Sequence, residues 1–251
     1  LKYLPKYEKN TFFYYFFYSG LNEVFAHVQH YNNIKNLEYD IFFNKKLVGK
    51  HFFEFKKEGK IVHVKSNGAF EVNKLGILLM DYQTGTEEIY NKGILMKFSS
   101  DTRQNDKIKY VRLKNDEKNG TFSIDGSSFK GKIPIKDIVV GTWWNHEIIN
   151  KNNQISPISG RVIKQKVKFL GKKEININNK NFDALHFHVL SDDNKPDEKK
   201  KINLHVWYDT NTLLWIKMSY DKLGHWEYRL KKYAFYYVRL PLTLIITLFL
   251  L

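Results

Sequence analysis

From Leu37 onward, apolar residues recur with a period of two, and this pattern limits the fold more than anything else in the chain. Leu37, Tyr39, Ile41 and Phe43 alternate with Glu38 and Asp40, and Asn44-Lys45-Lys46 can turn the chain. Leu47 to Lys56 reads as the return strand. Lys57-Glu58-Gly59-Lys60 turns again, and Val62 and Val64 then oppose Ile61, His63 and Lys65. The punctuation continues at Asn91-Lys92-Gly93, Asn119-Gly120, Asp125-Gly126 and Asn178-Asn179, residues that accept the positive φ of tight hairpins. Strands this closely spaced, with no amphipathic helix between them, predict an all-β fold: an antiparallel meander forming a single barrel, half-barrel or β-roll. One long connection, about 134–159, interrupts it. It carries Gly141-Thr-Trp-Trp-Asn-His146 and is expected to hold a short helix near Trp143 to Ile149 that plugs the open side of the sheet.

The chain has 251 residues, a length that all-β barrels reach as one domain. Aromatics make up 16%, mostly Tyr and Phe, which suit a half-buried pleated surface. The absence of cysteine excludes disulfide scaffolds, thiol catalysis and Cys-type zinc sites. The net charge of +15 invites a nucleic-acid reading. Arginine is sparse, however, and the lysines are spread along the whole chain, so no specific nucleic-acid partner is expected. An anionic membrane surface needs only charge and is the better counterpart.

Both ends differ from the body. Lys2, Lys6 and Lys9 precede the apolar run from Thr11 to Tyr18, followed by Val24-Phe25-Ala26. This order predicts a signal peptide over 1–26, cut near Ala26, and a periplasmic or envelope address. The single β domain is then expected over 27–233. Residues 234–251 form an apolar tail of uncertain status, whose run from Leu240 to Leu251 is shorter than the roughly 20 residues of a spanning helix.

An ordered set of motifs carries a resemblance. Tyr39-Asp40, Gly49 and Phe53-Glu54-Phe55 come first, then Glu71-Val72, Leu75-Gly76, Tyr82, and Glu87 ahead of Asn91-Lys92-Gly93. Trp143-Trp144-Asn145, Ser159-Gly160-Arg161-Val162, Trp207-Tyr208-Asp209, Trp215 and Tyr228-Arg229-Leu230 follow. In that order they resemble an uncharacterised family of exported proteobacterial proteins, the domain of unknown function DUF6134, and a related family, DUF3108. The resemblance spans about 37–232. It implies export and an antiparallel β barrel or roll comparable to envelope lipid carriers, and no known reaction.

Two sets of candidate residues emerge. Trp143, Trp144, Arg161 and Trp207 are expected to line or cover a ligand cavity, Arg161 as the partner of a ligand carboxylate or phosphate. His186 and His188, two apart on one strand, share a face, and His205 on the next strand joins them if the strands pair across 192–201. Three imidazoles on one face could hold zinc, and no other cofactor is expected; the competing reading is the polar face of a solvated sheet. Glu54, Glu71, Glu87 and Glu88 are acid/base candidates that read as strand-exposed carboxylates beside lysines. The leading function is non-enzymatic binding of an apolar or amphipathic, lipid-like ligand, or an envelope structural role. The alternative is a metal-assisted hydrolase built on the histidines.

Overall fold

The computed structural model describes residues 33–196 and 199–236; the expected signal peptide and the tail beyond 236 lie outside them. Among the described residues the chain is all-β, with fifteen strands in one sheet curled into a nearly closed barrel. The first half is a meander of β1 (Ile34–Phe43), β2 (Lys46–Glu58), β3 (Ile61–Lys74), β4 (Ile77–Asn91), β5 (Ile94–Gln104), β6 (Lys107–Asp116), β7 (Thr121–Gly126) and β8 (Phe129–Pro134). The second half contains β9 (Ile138–Val140), β10 (Asn153–Ile155), β11 (Val162–Ile177), β12 (Lys180–Ser191), β13 (Asn203–Asp209), β14 (Trp215–Asp221) and β15 (His225–Phe235). The halves meet where β1 pairs antiparallel with β15, so the first and last strands lie side by side in mid-sheet.

The expected long connection is more ordered than a loop. It supplies β9 and β10, the parallel pair in an otherwise antiparallel sheet, and a short 3₁₀ helix at His146–Asn150. Close approach explains two glycines. A Cβ on Gly126 would lie 2.7 Å from the Ser159 carbonyl oxygen, and Gly160 (φ 76°) packs back on Gly126. This contact draws the 156–161 loop across the seam between β8 and β9, the two ends of the sheet, helped by a hydrogen bond from the Ser128 N–H to the Ser159 carbonyl at 2.9 Å. Gly126 therefore serves packing, and the hairpin turn expected at Asp125-Gly126 falls at Ser127 and Ser128 instead.

The alternation sorts side chains as the sequence predicts. Tyr39, Ile41, Phe53, Phe55, Val62 and Val64 point inward and are buried. His63, Lys65 and Asn67 on β3, and Gln83 and Glu87 on β4, point outward. The outer face of β3 and β4 is thus polar, the reverse of the apolar band on a membrane-spanning barrel, although Phe52 on β2 and Phe169 on β11 are exposed. The turns at 44–45, 75–76, 105–106 and 222–224 share one end, the upper rim; those at 59–60, 91–93 and 178–179 form the lower rim.

Candidate functional site

The lower half of the interior is solid. Trp144, fully buried, projects from the β9–β10 connection and meets Phe55 and Tyr90 edge-on, with ring centroids 5.2 and 5.7 Å away. Its position is fixed from behind. Gln165 on β11 donates to the carbonyls of Ile148 and Lys151 at 2.7 and 2.8 Å and accepts from Gln154, while the Tyr208 hydroxyl donates to the Trp143 carbonyl at 2.9 Å. The Asn145 side chain caps the 3₁₀ helix by accepting from the Glu147 N–H.

Against this indole lies a buried carboxylate. Glu88 on β4 is 1% exposed and accepts from the Trp144 indole N–H at 2.8 Å and the Tyr90 hydroxyl at 2.6 Å, with Thr142 at 3.5 Å. Burial pushes its carboxyl up to about 7, against the pull of these three donors. The sequence reading placed Glu88 among exposed strand carboxylates, and the structure corrects this. The inward row of β4 is Tyr82, Thr84, Thr86, Glu88 and Tyr90, and a row so polar resembles an outer face.

Above the plug the same row lines a different space. His51, which pairs with inward-facing Tyr39, and Tyr82, Tyr220 and Tyr228 are half-buried on the inner face and border the upper interior, the chamber. The Ser66 hydroxyl bonds the Thr86 hydroxyl at 2.8 Å and His51 Nε2 at 3.2 Å, and Thr84 and Thr102 join hydroxyls at 2.8 Å. Neither the Tyr220 nor the Tyr228 hydroxyl hydrogen bonds to a described protein group. Burial holds His51 down to about 4 and raises the phenols of Tyr82, Tyr220 and Tyr228, the last also through its neighbours Tyr220 and Tyr82. At neutral pH the chamber wall is therefore polar and uncharged. Toward the upper rim it passes into an aromatic collar. Phe70 stacks on Tyr82 (4.9 Å), Tyr220 stacks on Trp226 (5.9 Å), and Phe43 and Phe70 both meet Trp226.

The four residues expected to line a cavity are not brought together. Trp144 plugs the interior and Trp143 packs half-buried beside the core, whereas Arg161 is exposed next to the seam loop. Trp207 is on the outer face, stacked on His186 (4.3 Å) beneath the ammonium groups of Lys173 and Lys217. Of the residues that line the chamber, only Tyr82 and Tyr228 fall among the sequence motifs.

The histidines share one outer face, as the strand register requires. His188 lies opposite His205, and His186 opposite Trp207. Their nitrogens face one another instead of a common centre. His186 Nε2 lies 2.8 Å from His205 Nδ1, His188 Nε2 lies 2.8 Å from Asn203 Oδ1, and the His188 and His205 rings stack within 3° of parallel. Burial, then the charge of Lys173, lowers His186 to about 4, and burial with His188 lowers His205. Among the described residues no group of three His, Asp or Glu side chains is arranged to hold a metal.

The comparisons with known proteins agree with the fold. A crystal structure titled as a beta-barrel-like protein of domain of unknown function DUF1849, from Brucella abortus, matches with a TM-score of 0.60 at 13% identity, covering 82% of this chain and 99% of that one. At that identity the likeness establishes the architecture alone. A search of curated proteins finds no match. The family model described as Domain of unknown function (DUF6134) matches residues 39–231, the span that contains the plug, the buried carboxylate and the chamber, and the chain belongs to that family.

Proposed function

We propose that this protein is a non-enzymatic binding barrel of the periplasm or envelope whose chamber takes a lipid-like amphiphile with an uncharged polar end. The observation that carries this reading is the chamber wall, which among the described residues has two phenol hydroxyls without a hydrogen-bond partner, hydroxyl pairs and a neutral imidazole, and no lysine, arginine or aspartate. An ester, amide or hydroxyl would satisfy the phenols, while a charged headgroup would lose its hydration without gaining a counter-ion. The collar of Phe43, Phe70 and Trp226 suits the apolar part of such a ligand.

A monoacylglycerol is expected to bind more tightly than the fatty acid of equal chain length in a fluorescence displacement assay at pH 8. Each of Tyr220→Phe and Tyr228→Phe should weaken the monoacylglycerol by about fivefold, the worth of one net hydrogen bond near 1 kcal/mol. Equal affinity for both lipids, or no extractable lipid in mass spectra of the protein from an exporting host, would count against the proposal.

The histidine face supports the hydrolase alternative less well, because a metal would have to break the His186–His205 contact before binding both rings. Metal analysis settles the order of the two readings. A stoichiometric metal that disappears in a His186→Ala, His188→Ala, His205→Ala variant would put the hydrolase first.

A further inference from the structure

The upper rim carries apolar side chains that the fold does not use. Leu75 is 93% exposed and Leu223 86%, and Ile108, Ile77, Leu78, Leu47 and Leu79 are all more than half exposed. All seven belong to, or flank, the turns of one end. The lower-rim turns at 59–60, 91–93 and 178–179 instead use Gly59-Lys60, Asn91-Lys92-Gly93 and Asn178-Asn179. Among the described residues the one lower-rim leucine at positive φ, Leu213 (φ 53°), is half-buried.

Two of these leucines are also costly in backbone terms. Leu75 (φ 53°) and Leu223 (φ 58°) hold the left-handed conformation in which Asn or Gly is the easy choice, as at Asn178 and Asn179 below. Neither burial nor turn geometry accounts for a leucine at these positions. The β3–β4 hairpin also projects. Its ladder to β2 stops at Phe70, and its bonds to the β5 side stop at Asp81, which Asn105 holds. Val72 and Met80 still pack on the core, so 73–79 stand beyond both neighbours. The tip presents Leu75-Gly76-Ile77-Leu78-Leu79, with Leu75 in the turn and Ile77, Leu78 and Leu79 all exposed at the start of β4.

Charge on the same rim has a predominant sign. Lys45, Lys46, Lys74, Lys107 and Lys222 are exposed among these turns, against Glu71, Asp106 and Asp221, the last paired with His225 at 2.7 Å. Apolar tips ringed by lysines match a lipid bilayer with anionic headgroups. The tips enter the interfacial layer, and the ammonium groups stay level with the phosphates. The outer wall, lined by Lys65, Asn67, Gln83 and Glu87, stays in water, so the contact is one of docking by the rim and not of spanning.

From the exposed leucines, their strained turns and the flanking lysines, we infer that the upper rim is a membrane-docking surface for an anionic bilayer, with the β3–β4 hairpin as its leading edge. This inference rests on the rim alone and does not need the chamber to bind anything.

Vesicle flotation with the full chain tests it, using vesicles of phosphatidylglycerol and phosphatidylcholine or of phosphatidylcholine alone. The protein should float with the anionic vesicles and much less with the neutral ones. A Leu75→Ser, Leu78→Ser, Leu79→Ser variant, checked for an unchanged thermal midpoint, should bind at least about tenfold more weakly. Replacing Lys45, Lys46 and Lys74 by Gln should cost about fivefold per residue and remove most of the salt dependence. Because the chain has no cysteine, a single environment-sensitive dye can also be attached through Leu75→Cys or, at the opposite end, Lys60→Cys. The dye at 75 should shift to the blue on adding anionic vesicles, and the dye at 60 should not. Equal shifts at both sites, unchanged flotation of the leucine variant, or a dimer that the leucine variant abolishes in the absence of any flotation would each overturn the inference.

Discussion

Replacing Trp144 by alanine is expected to destabilise the barrel by about 3–5 kcal/mol, read as a lower urea midpoint with an unchanged slope. The indole fills the lower interior between Phe55 and Tyr90, and the strands around it cannot collapse without breaking the ladders they share. Its N–H is also a donor to Glu88, so the truncation leaves a buried carboxylate with one partner fewer. Trp143→Ala, at a half-buried position where the backbone carbonyl makes the identified hydrogen bond, should cost no more than about half as much. Equal losses from the two changes would mean that Trp144 is not the plug.

The second large effect is one of pH. The Glu88 carboxyl titrates near 7 in the folded protein and near its ordinary 4.5 when unfolded, so between those values the folded state binds more protons. Stability should therefore fall as pH rises from about 4.5 to 7, by about 3 kcal/mol from this group, and then level off. His51 acts in the opposite sense. Burial lowers it to about 4, the unfolded chain binds its proton more readily, and stability rises with pH between about 4 and 6.5. The difference between the wild type and Glu88→Gln isolates the carboxyl. The amide keeps an acceptor for Trp144 and offers the Tyr90 oxygen a donor, as the protonated acid does. The variant should match the wild type near pH 4 and exceed it by about 3 kcal/mol at pH 8 in urea unfolding followed by tryptophan fluorescence. Parallel pH profiles for the two proteins would show that the Glu88 carboxyl titrates alike in the folded and unfolded states.

These two residues also mark where the sequence was legible. The meander followed from alternation because most strands carry a buried row, and turns such as Asn44-Lys45 and Asn178-Asn179 supply positive φ where the chain reverses. The shared face of His186, His188 and His205 followed from period and hairpin register alone. A plug near Trp143 to Ile149 was expected because two adjacent tryptophans cannot both lie on one face of a strand, and it is Trp144 that fills the interior.

The chamber was not legible, for a physical reason. Alternation separates two faces without saying which is inside, and apolarity normally decides. On β4 the inward row of Tyr82, Thr84, Thr86 and Glu88 is polar and the outward row contains Ile89, so the usual rule gives the wrong answer. The exposed stretch from Leu75 to Leu79 misleads in the opposite direction, since it reads as core in sequence and lies in the open at the rim. Arg161 follows Gly160, which sits at positive φ against Gly126, and is exposed away from the chamber residues.

The pairing of β1 with β15 has a consequence in time. During synthesis the first strand can pair with β2 as soon as that hairpin is made, but its other edge stays bare until residues 225–235 exist. About 190 residues separate the two partners, Asp40 and Lys231 being 191 apart, so the joint is among the most non-local contacts the chain can make. The barrel cannot close vectorially from its N-terminus; two half-sheets wait for the final strand to latch them. A chain cut short before β15 would keep open edges on both β1 and β14, the kind of template on which strands of different molecules add to one another.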